Sequence, residues 1–403
     1  MVETAGEHER PLEGIIVADF SRVLAGPLAT MMLADLGATV IKVERPGVGD
    51  DTRHWGPPWT STSSSYFEGV NRSKSSVALD LNDVDDRRRA RELARRADVF
   101  IHNFRSGALE RHGLGYRDVA RSNPAVVYCS ISGFGSDGGA DIPGYDFVVQ
   151  AVGGLMSVTG DVGGDPMKVG VALVDVLTGK DAVIGVLAAL RGRDLSGVGE
   201  HVEVNLLSSL LSGMVNQAMS YLATGVAPGR MGNQHPSIAP YETLRCSDRH
   251  VAVACGNDAQ FRKMAAALGV PGLADDPRFR RNEDRVAHRD EMVLALEARL
   301  MSETAATWES RLTEAGVPAG VVGDLGSAFR RAAELGLAPR WVMPDGHPDQ
   351  VAHPISYSRT RLRPPYPPPL VGEQTETIAR WLDEALDRPA PTLETDLPEE
   401  MPR

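Results

Sequence analysis

The stretch from Val169 to Arg193, VGVALVDVLTGKDAVIGVLAALRGR, decides how the chain is read. An apolar run from Val169 to Val174 reaches Asp175, and apolar residues then recur at helical spacing through Val183, Ile184, Val186, Leu187 and Leu190. A single acid therefore stands at the mouth of an apolar helix. One reading makes Asp175 an N-cap whose carboxylate accepts from the amides of Leu177 or Thr178. The other keeps that geometry and adds chemistry: the positive helix end keeps the carboxylate ionised, free to attack an acyl carbon. Both readings stay open on this stretch alone.

What precedes it is an alternation of strands and helices. Gly14 to Phe20 reads as a buried strand, Pro27 to Leu36 as a helix with proline at its first position, and Ala38 to Glu44 as a second strand. Ser75 to Leu81, Asp98 to Phe104 and Ala125 to Ser132 read as further strands, with a charged helix from Asp83 to Ala97. This order predicts an α/β fold with a parallel, Rossmann-like sheet. The first strand-helix turn, Leu24 to Thr30, holds only Gly26, so the glycine fingerprint of a dinucleotide site is missing. Gly47 to Ser65 is a long loop with Trp55 and Trp59, and glycines from Gly153 to Gly170 deliver the backbone to Asp175.

Gly199 to Leu211 continues as strand and helix, and residues 226–241 form an irregular connector. Residues 242–330 read as a smaller α+β domain, with a strand from Val251 to Cys255 and helices over Asp258 to Leu268, Arg289 to Met301 and Ala306 to Ala315. Thr375 to Leu386 is a last helix with Trp381 and Leu382 facing inward, while residues 1–10 and the final fifteen or so read as solvated ends.

Composition narrows the function. The 403 residues carry a formal net charge of -12, which sets the chain against nucleic-acid binding, and the arginines between Arg87 and Arg96 read as a solvated helix face. Cys129, Cys246 and Cys255 show no metal-ligand spacing and read as reduced core residues. No apolar run reaches membrane-spanning length and the N-terminus has no signal-peptide core, so the expected location is cytoplasmic, with no membrane partner, no metal and no permanently bound cofactor. Two arginines, Arg105 and Arg111, follow the strand ending at Asn103-Phe104, where α/β sheets bind anionic ligands.

Taken together, several segments resemble the family III CoA-transferases. They are Pro11-Leu12-Glu13-Gly14 with Asp19-Phe20-Ser21-Arg22, Ala25-Gly26-Pro27, Leu36 to Glu44, Asn103-Phe104-Arg105, Gly144-Tyr145-Asp146, Gly154-Leu155-Met156, the Asp175 segment, and Gly372-Glu373-Gln374-Thr375 near the end. The resemblance implies that Asp175 is the nucleophile that takes an acyl group from a CoA thioester through an aspartyl-acyl anhydride and an aspartyl-CoA thioester. It implies coenzyme A thioester as co-substrate, held by Val23, Arg45, Asn103, Ala108 and Arg111, and a free carboxylic acid as acceptor. It also implies a large domain built from residues 1–225 and 331–403, and an interlocked homodimer.

Leu24 and Ser132 replace a glutamine and a lysine of the formyl-CoA branch, which sets the chain against formate or oxalate. Arg22, Tyr145 and His235 are the candidates to meet a larger acid. Two alternatives share the fold. An α-methylacyl-CoA racemase needs a second proton carrier where this chain has Tyr145, and an unperturbed tyrosine near pKa 10 is a poor base. A non-catalytic acyl-CoA-binding protein would have no use for an intact Asp175.

Overall fold

Six strands form one sheet: β1 (Ile16–Asp19), β2 (Thr39–Glu44), β3 (Lys74–Ala78), β4 (Val99–His102), β5 (Val127–Ser132) and β6 (His201–Asn205). The computed structural model describes residues 10–384 apart from 345 and 363. The solvated ends expected at residues 1–10, Arg10 aside, and over the last fifteen or so lie outside the described residues. The strand order is β3-β2-β1-β4-β5-β6 and every neighbouring pair is parallel. Strand order reverses between β1 and β4, so the crevice beyond their C-terminal ends is the place where such sheets bind ligands.

The central strands β1, β2 and β4 are buried along most of their length and largely apolar, as expected of a parallel sheet covered on both faces, whereas β6 is only partly buried. Phe20 stacks on Phe100 at 4.7 Å between ring centroids, and Phe100 on Tyr128 at 4.8 Å. The last helix, Thr375–Asp383, adds Ile378, Trp381 and Leu382 to that core. Its approach also serves the outer strand. The amides of Ser76 and Ala78 on β3 donate to Gln374 Oε1 at 2.8 Å and Thr375 Oγ1 at 2.9 Å, so side chains cover part of an edge that would otherwise lie open.

Two helices position the crevice. Ala25–Asp35 follows β1, and Leu173–Ser196 lies against it. A Cβ on Gly179 would fall 2.7 Å from the Ala25 carbonyl oxygen, and one on Gly26 would fall 2.2 Å from Ser21 Cβ. Both glycines therefore serve close packing at the crevice. The first helix starts two residues before the expected Pro27, which sits at its third position. Proline is tolerated there because the first turn's amides have no partner within the helix.

The arginines of the charged helix, Val84–Arg96, do pair with acids: Arg88 and Arg89 with Asp383, and Arg96 with Glu92. Arg96 is an exception to the solvated face, its guanidinium lying 4.8 Å from the Trp381 ring centroid. Cys129, Cys246 and Cys255 are buried free thiols, and burial pushes Cys129 and Cys255 up to about 12. No helix of the described residues is long and apolar enough to cross a membrane.

The chain divides into two compact units, one of residues 1–153, 170–219 and 338–403, the other of residues 154–169 and 220–337. The second contains an antiparallel sheet of β7 (Tyr241–Arg245), β8 (His250–Ala254) and β9 (Ala319–Val321), in that order. Helices Asp258–Ala267, Arg289–Leu300 and Ala305–Glu314 enclose its core around Phe261, Met264, Leu296 and Trp308. Arg285 is fully buried there, bonded to Asp258 and to the carbonyls of Ala239 and Phe279. Cys255 follows β8 instead of ending it.

Candidate active site

The turn after β1 is held from two sides. The Arg22 amide donates to Asn103 Oδ1 at 2.9 Å, while Asn103 Nδ2 donates to the Arg22 carbonyl at 2.6 Å. The Val23 amide donates to Asp50 Oδ1 at 3.3 Å. Between these anchors Val23 adopts a φ of 72°, a left-handed conformation that is costly for a β-branched residue and persists only where the surroundings impose it. Asp50 is itself fixed by buried Lys42 at 2.9 Å and by Thr52. Against the cost of burial, the Lys42 charge and the Thr52 bonds hold Asp50 down at about 2.

Beneath this turn lies a set of buried charges. Asp19 meets Lys74 at 3.2 Å and Thr30 at 2.6 Å, and Glu44 is gripped by Arg53 at 2.6 Å. Burial pulls Lys74 down to about 8 in spite of Asp19. Such pairs add little net stability, but each is costly to break, so they hold the turn in one geometry.

Asp175 occupies the first turn of the Leu173–Ser196 helix, whose N-cap is Ala172. The cap is supplied from elsewhere: Asp146 Oδ1 accepts from the amides of Val174 at 2.8 Å and Asp175 at 3.2 Å, and its Oδ2 accepts from Gln150 Nε2 at 2.7 Å. The N-cap reading of Asp175 is thereby corrected, and the carboxylate is left free of a structural duty. A second correction concerns its charge. Burial, and then the neighbouring Asp146 carboxylate, push Asp175 up to about 7, so these outweigh the positive helix end. A carboxyl near 7 is half ionised at neutral pH and more basic than an exposed aspartate. Tyr66 lies within the field of the same group: burial, followed by the charges of Asp175, Asp146 and Asp50, pushes it up to about 12.

The expected residues fall into two cavities of the first unit. Arg22, Val23, Asn103, Tyr145 and Asp175 line one of about 630 Å³. Arg22, Arg45, Ala108 and Arg111 line another of about 390 Å³, with Arg22 and Phe104 common to both. Arg22 bonds Asp51 at 3.2 Å, lies 5.0 Å from the Phe104 ring centroid, and its buried Nε has no partner among the described residues. Asp51 also holds Arg45, at 2.8 Å. Tyr145 is largely exposed and precedes the Asp146–Val152 helix. His235 belongs to the second unit, its ring 5.1 Å from that of Tyr241 and its Nδ1 accepting from the Ser237 amide. Among the described residues no three His, Cys, Asp or Glu gather as metal ligands.

Comparison with known proteins gives the chain's family. The model of CoA-transferase family III matches residues 12–375. The chain belongs to that family. It is 41% identical over 395 residues to a succinate–glutarate CoA-transferase of Agrobacterium fabrum, covering 94% of this chain and 97% of the relative. It is 39% identical over 355 residues to an acetyl-CoA:oxalate CoA-transferase of Acetobacter aceti, covering 87% of this chain and 91% of the relative. The crystal structure of a CaiB/BaiF family protein from Brucella suis superposes with a TM-score of 0.84 at 40% identity, covering 93% of this chain and all of that one.

This CoA-transferase therefore moves CoA from an acyl-CoA thioester to a free carboxylic acid. Its sequence did not reveal Asp50, Tyr66 or the capping role of Asp146. Asp146 stands before the apolar Phe147-Val148-Val149, which is a helix-start signal, but nothing local tells which helix it caps. Tyr66 lies in the field of carboxylates distant in sequence and gave no signal at all.

Proposed function

We propose that the CoA-transferase works through Asp175 and that its acids are short dicarboxylates. The observation that carries the first part is the Asp175 carboxyl at a helix mouth capped by Asp146, lining one cavity with the anchored Arg22-Val23 turn and Asn103. An Asp175 oxygen bonds to the thioester carbonyl carbon as the C–S bond breaks, giving an aspartyl-acyl anhydride and CoA thiolate. The thiolate attacks the aspartyl carbonyl and releases the donor acid. The acceptor carboxylate attacks the resulting aspartyl-CoA thioester and frees the thiolate, which then takes the acceptor acyl group from the second anhydride and restores Asp175. No proton is gained or lost over the cycle, and the acyl bond energy survives only if water is excluded.

In this reading Val23 and Asn103 meet the pantetheine arm, while Arg45, Ala108 and Arg111 meet the phosphate-bearing end of CoA. Arg111→Ala is expected to raise KM for acyl-CoA by about tenfold with a smaller change in kcat, since a charge-assisted bond is worth roughly 1.5–3 kcal/mol. Steady-state kinetics at fixed acceptor concentration checks it. Arg22, with its unpartnered Nε, is the group for the distal carboxylate of the acid, with Tyr145 lining the same cavity. The names of the two relatives, glutarate and oxalate, support a dicarboxylate and put oxalate back among the acceptors to be tried.

Incubating the protein with succinyl-CoA and hydroxylamine tests the covalent route. A hydroxamate on the Asp175 peptide supports it, and an unmodified peptide alongside full transfer to glutarate would overturn it. A second copy of the chain completes the reading: Phe147, Val152, Ile184, Leu195 and Leu211 leave apolar side chains exposed on helices of the first unit. An interlocked homodimer covers them, so light scattering is expected to give twice the 43.3 kDa chain mass at micromolar concentration. The buried free thiols suit a reducing compartment such as the cytoplasm.

A further inference from the structure

Across β4, β5 and β6 the side chains of His102, Ser130 and His201 meet in the wall of the larger cavity, which Asp175 also lines. The Phe104 amide donates to His102 Nδ1 at 3.2 Å, so that nitrogen carries no proton. Burial, with His201 as a smaller cause, holds His102 down at about 3, which keeps the ring neutral. Its one proton is therefore on Nε2, which donates to Ser130 Oγ at 3.1 Å. The serine's own proton is left for His201 Nε2, 2.7 Å away.

His201 is set for that role. Its ring stacks on Tyr116 at 4.6 Å and 22° and meets Tyr128 edge-on at 5.4 Å and 78°. Burial keeps it below its ordinary value and so neutral near pH 7, while the charges of Glu203 and Glu110 favour the imidazolium once a proton arrives. A hydroxyl that receives one hydrogen bond and gives its proton to an oriented neutral imidazole is an activated nucleophile. The transfer cycle uses none of these three residues.

We propose that Ser130, with His201 as its base, is a second nucleophile of this cavity and gives the protein a slow acyl-CoA hydrolase activity beside transfer. The proposal rests on the reading that the cavity holds the thioester. Ser130 Oγ bonds to the carbonyl carbon as its proton passes to His201 Nε2. The C–S bond breaks, the thiolate takes that proton, and CoA leaves with an acyl-serine behind it. Water then attacks the ester, giving one proton to His201; the bond to Ser130 breaks, its oxygen recovers the proton, and the free acid departs.

The Asp175→Ala variant isolates this route. With acetyl-CoA it is expected to release CoA thiol slowly with no acceptor present, and a fluorophosphonate probe is expected to label the Ser130 peptide. Adding Ser130→Ala should lower the release by on the order of 100-fold, whereas Ser130→Cys should keep the site acylated and so exclude misfolding as the cause. Equal release with and without Ser130, together with an unlabelled Ser130 peptide, would overturn the proposal. A wild-type protein that forms no hydroxamate at Asp175 while Ser130 is labelled would sink the aspartyl route and leave the serine standing.

Discussion

Asp175→Ala is expected to abolish CoA transfer, lowering kcat by at least about 10⁴-fold, the scale on which removing one member of a covalent catalytic set acts. The reason is chemical: the carboxylate is the carrier of both the acyl group and CoA, and alanine offers no oxygen to hold either. Binding should survive, because the turn held by Asn103 and Asp50 and the arginines of the smaller cavity are untouched. Calorimetric titration with CoA is expected to give a Kd within a few-fold of wild type. Asp175→Glu refines the test. It keeps the charge but moves the oxygens by more than an ångström, which is expected to cost about 100-fold. Undiminished turnover in Asp175→Ala would refute the assignment.

Asp146→Asn is expected to shift the acid limb of the pH profile. The nucleophile must be ionised, and with Asp175 near 7 the rate should fall as pH drops through neutrality, to about a tenth of its plateau one unit below. Asp146 contributes part of that upward push, so removing its charge lets Asp175 ionise at lower pH and moves the limb down. Asparagine Oδ1 can still accept from Val174 and Asp175, so the helix start keeps its cap. The expected outcome is a rate at pH 6 that is higher relative to its own plateau than in the wild type, with a lower plateau because the carboxylate has become less basic. Asp146→Ala removes cap and charge together and should cost about 1 kcal/mol of stability as well. An unmoved limb in Asp146→Asn would show that the kinetic pKa belongs to another group.

Asp146 also shows why part of the site was hidden. Its own segment announces a helix start, but the amides it caps belong to residues 174 and 175, reached only when the Asp146–Val152 and Leu173–Ser196 helices are placed side by side. The Val23 conformation has the same origin. Nothing in Ser21 to Ala25 demands a left-handed valine; Asn103 and Asp50 impose it after the sheet has brought three loops together. The serine flanked by two histidines lies on three separate strands, and register alone sets the rings within hydrogen-bond reach.

By itself the chain order of apolar runs determined a parallel α/β sheet, because strands covered on both faces are mostly apolar and successive parallel strands need helical crossovers. It also determined which acid begins the long helix, since Asp175 is the one ionisable residue between Val169 and Thr178. Only the tertiary structure decided that this acid is not the cap, that Asp146 is, and that burial and the Asp146 charge push the Asp175 carboxyl up to about 7. Solvation and the field of a neighbouring charge depend on what surrounds a group in space, and the neighbours that matter here are far away along the chain.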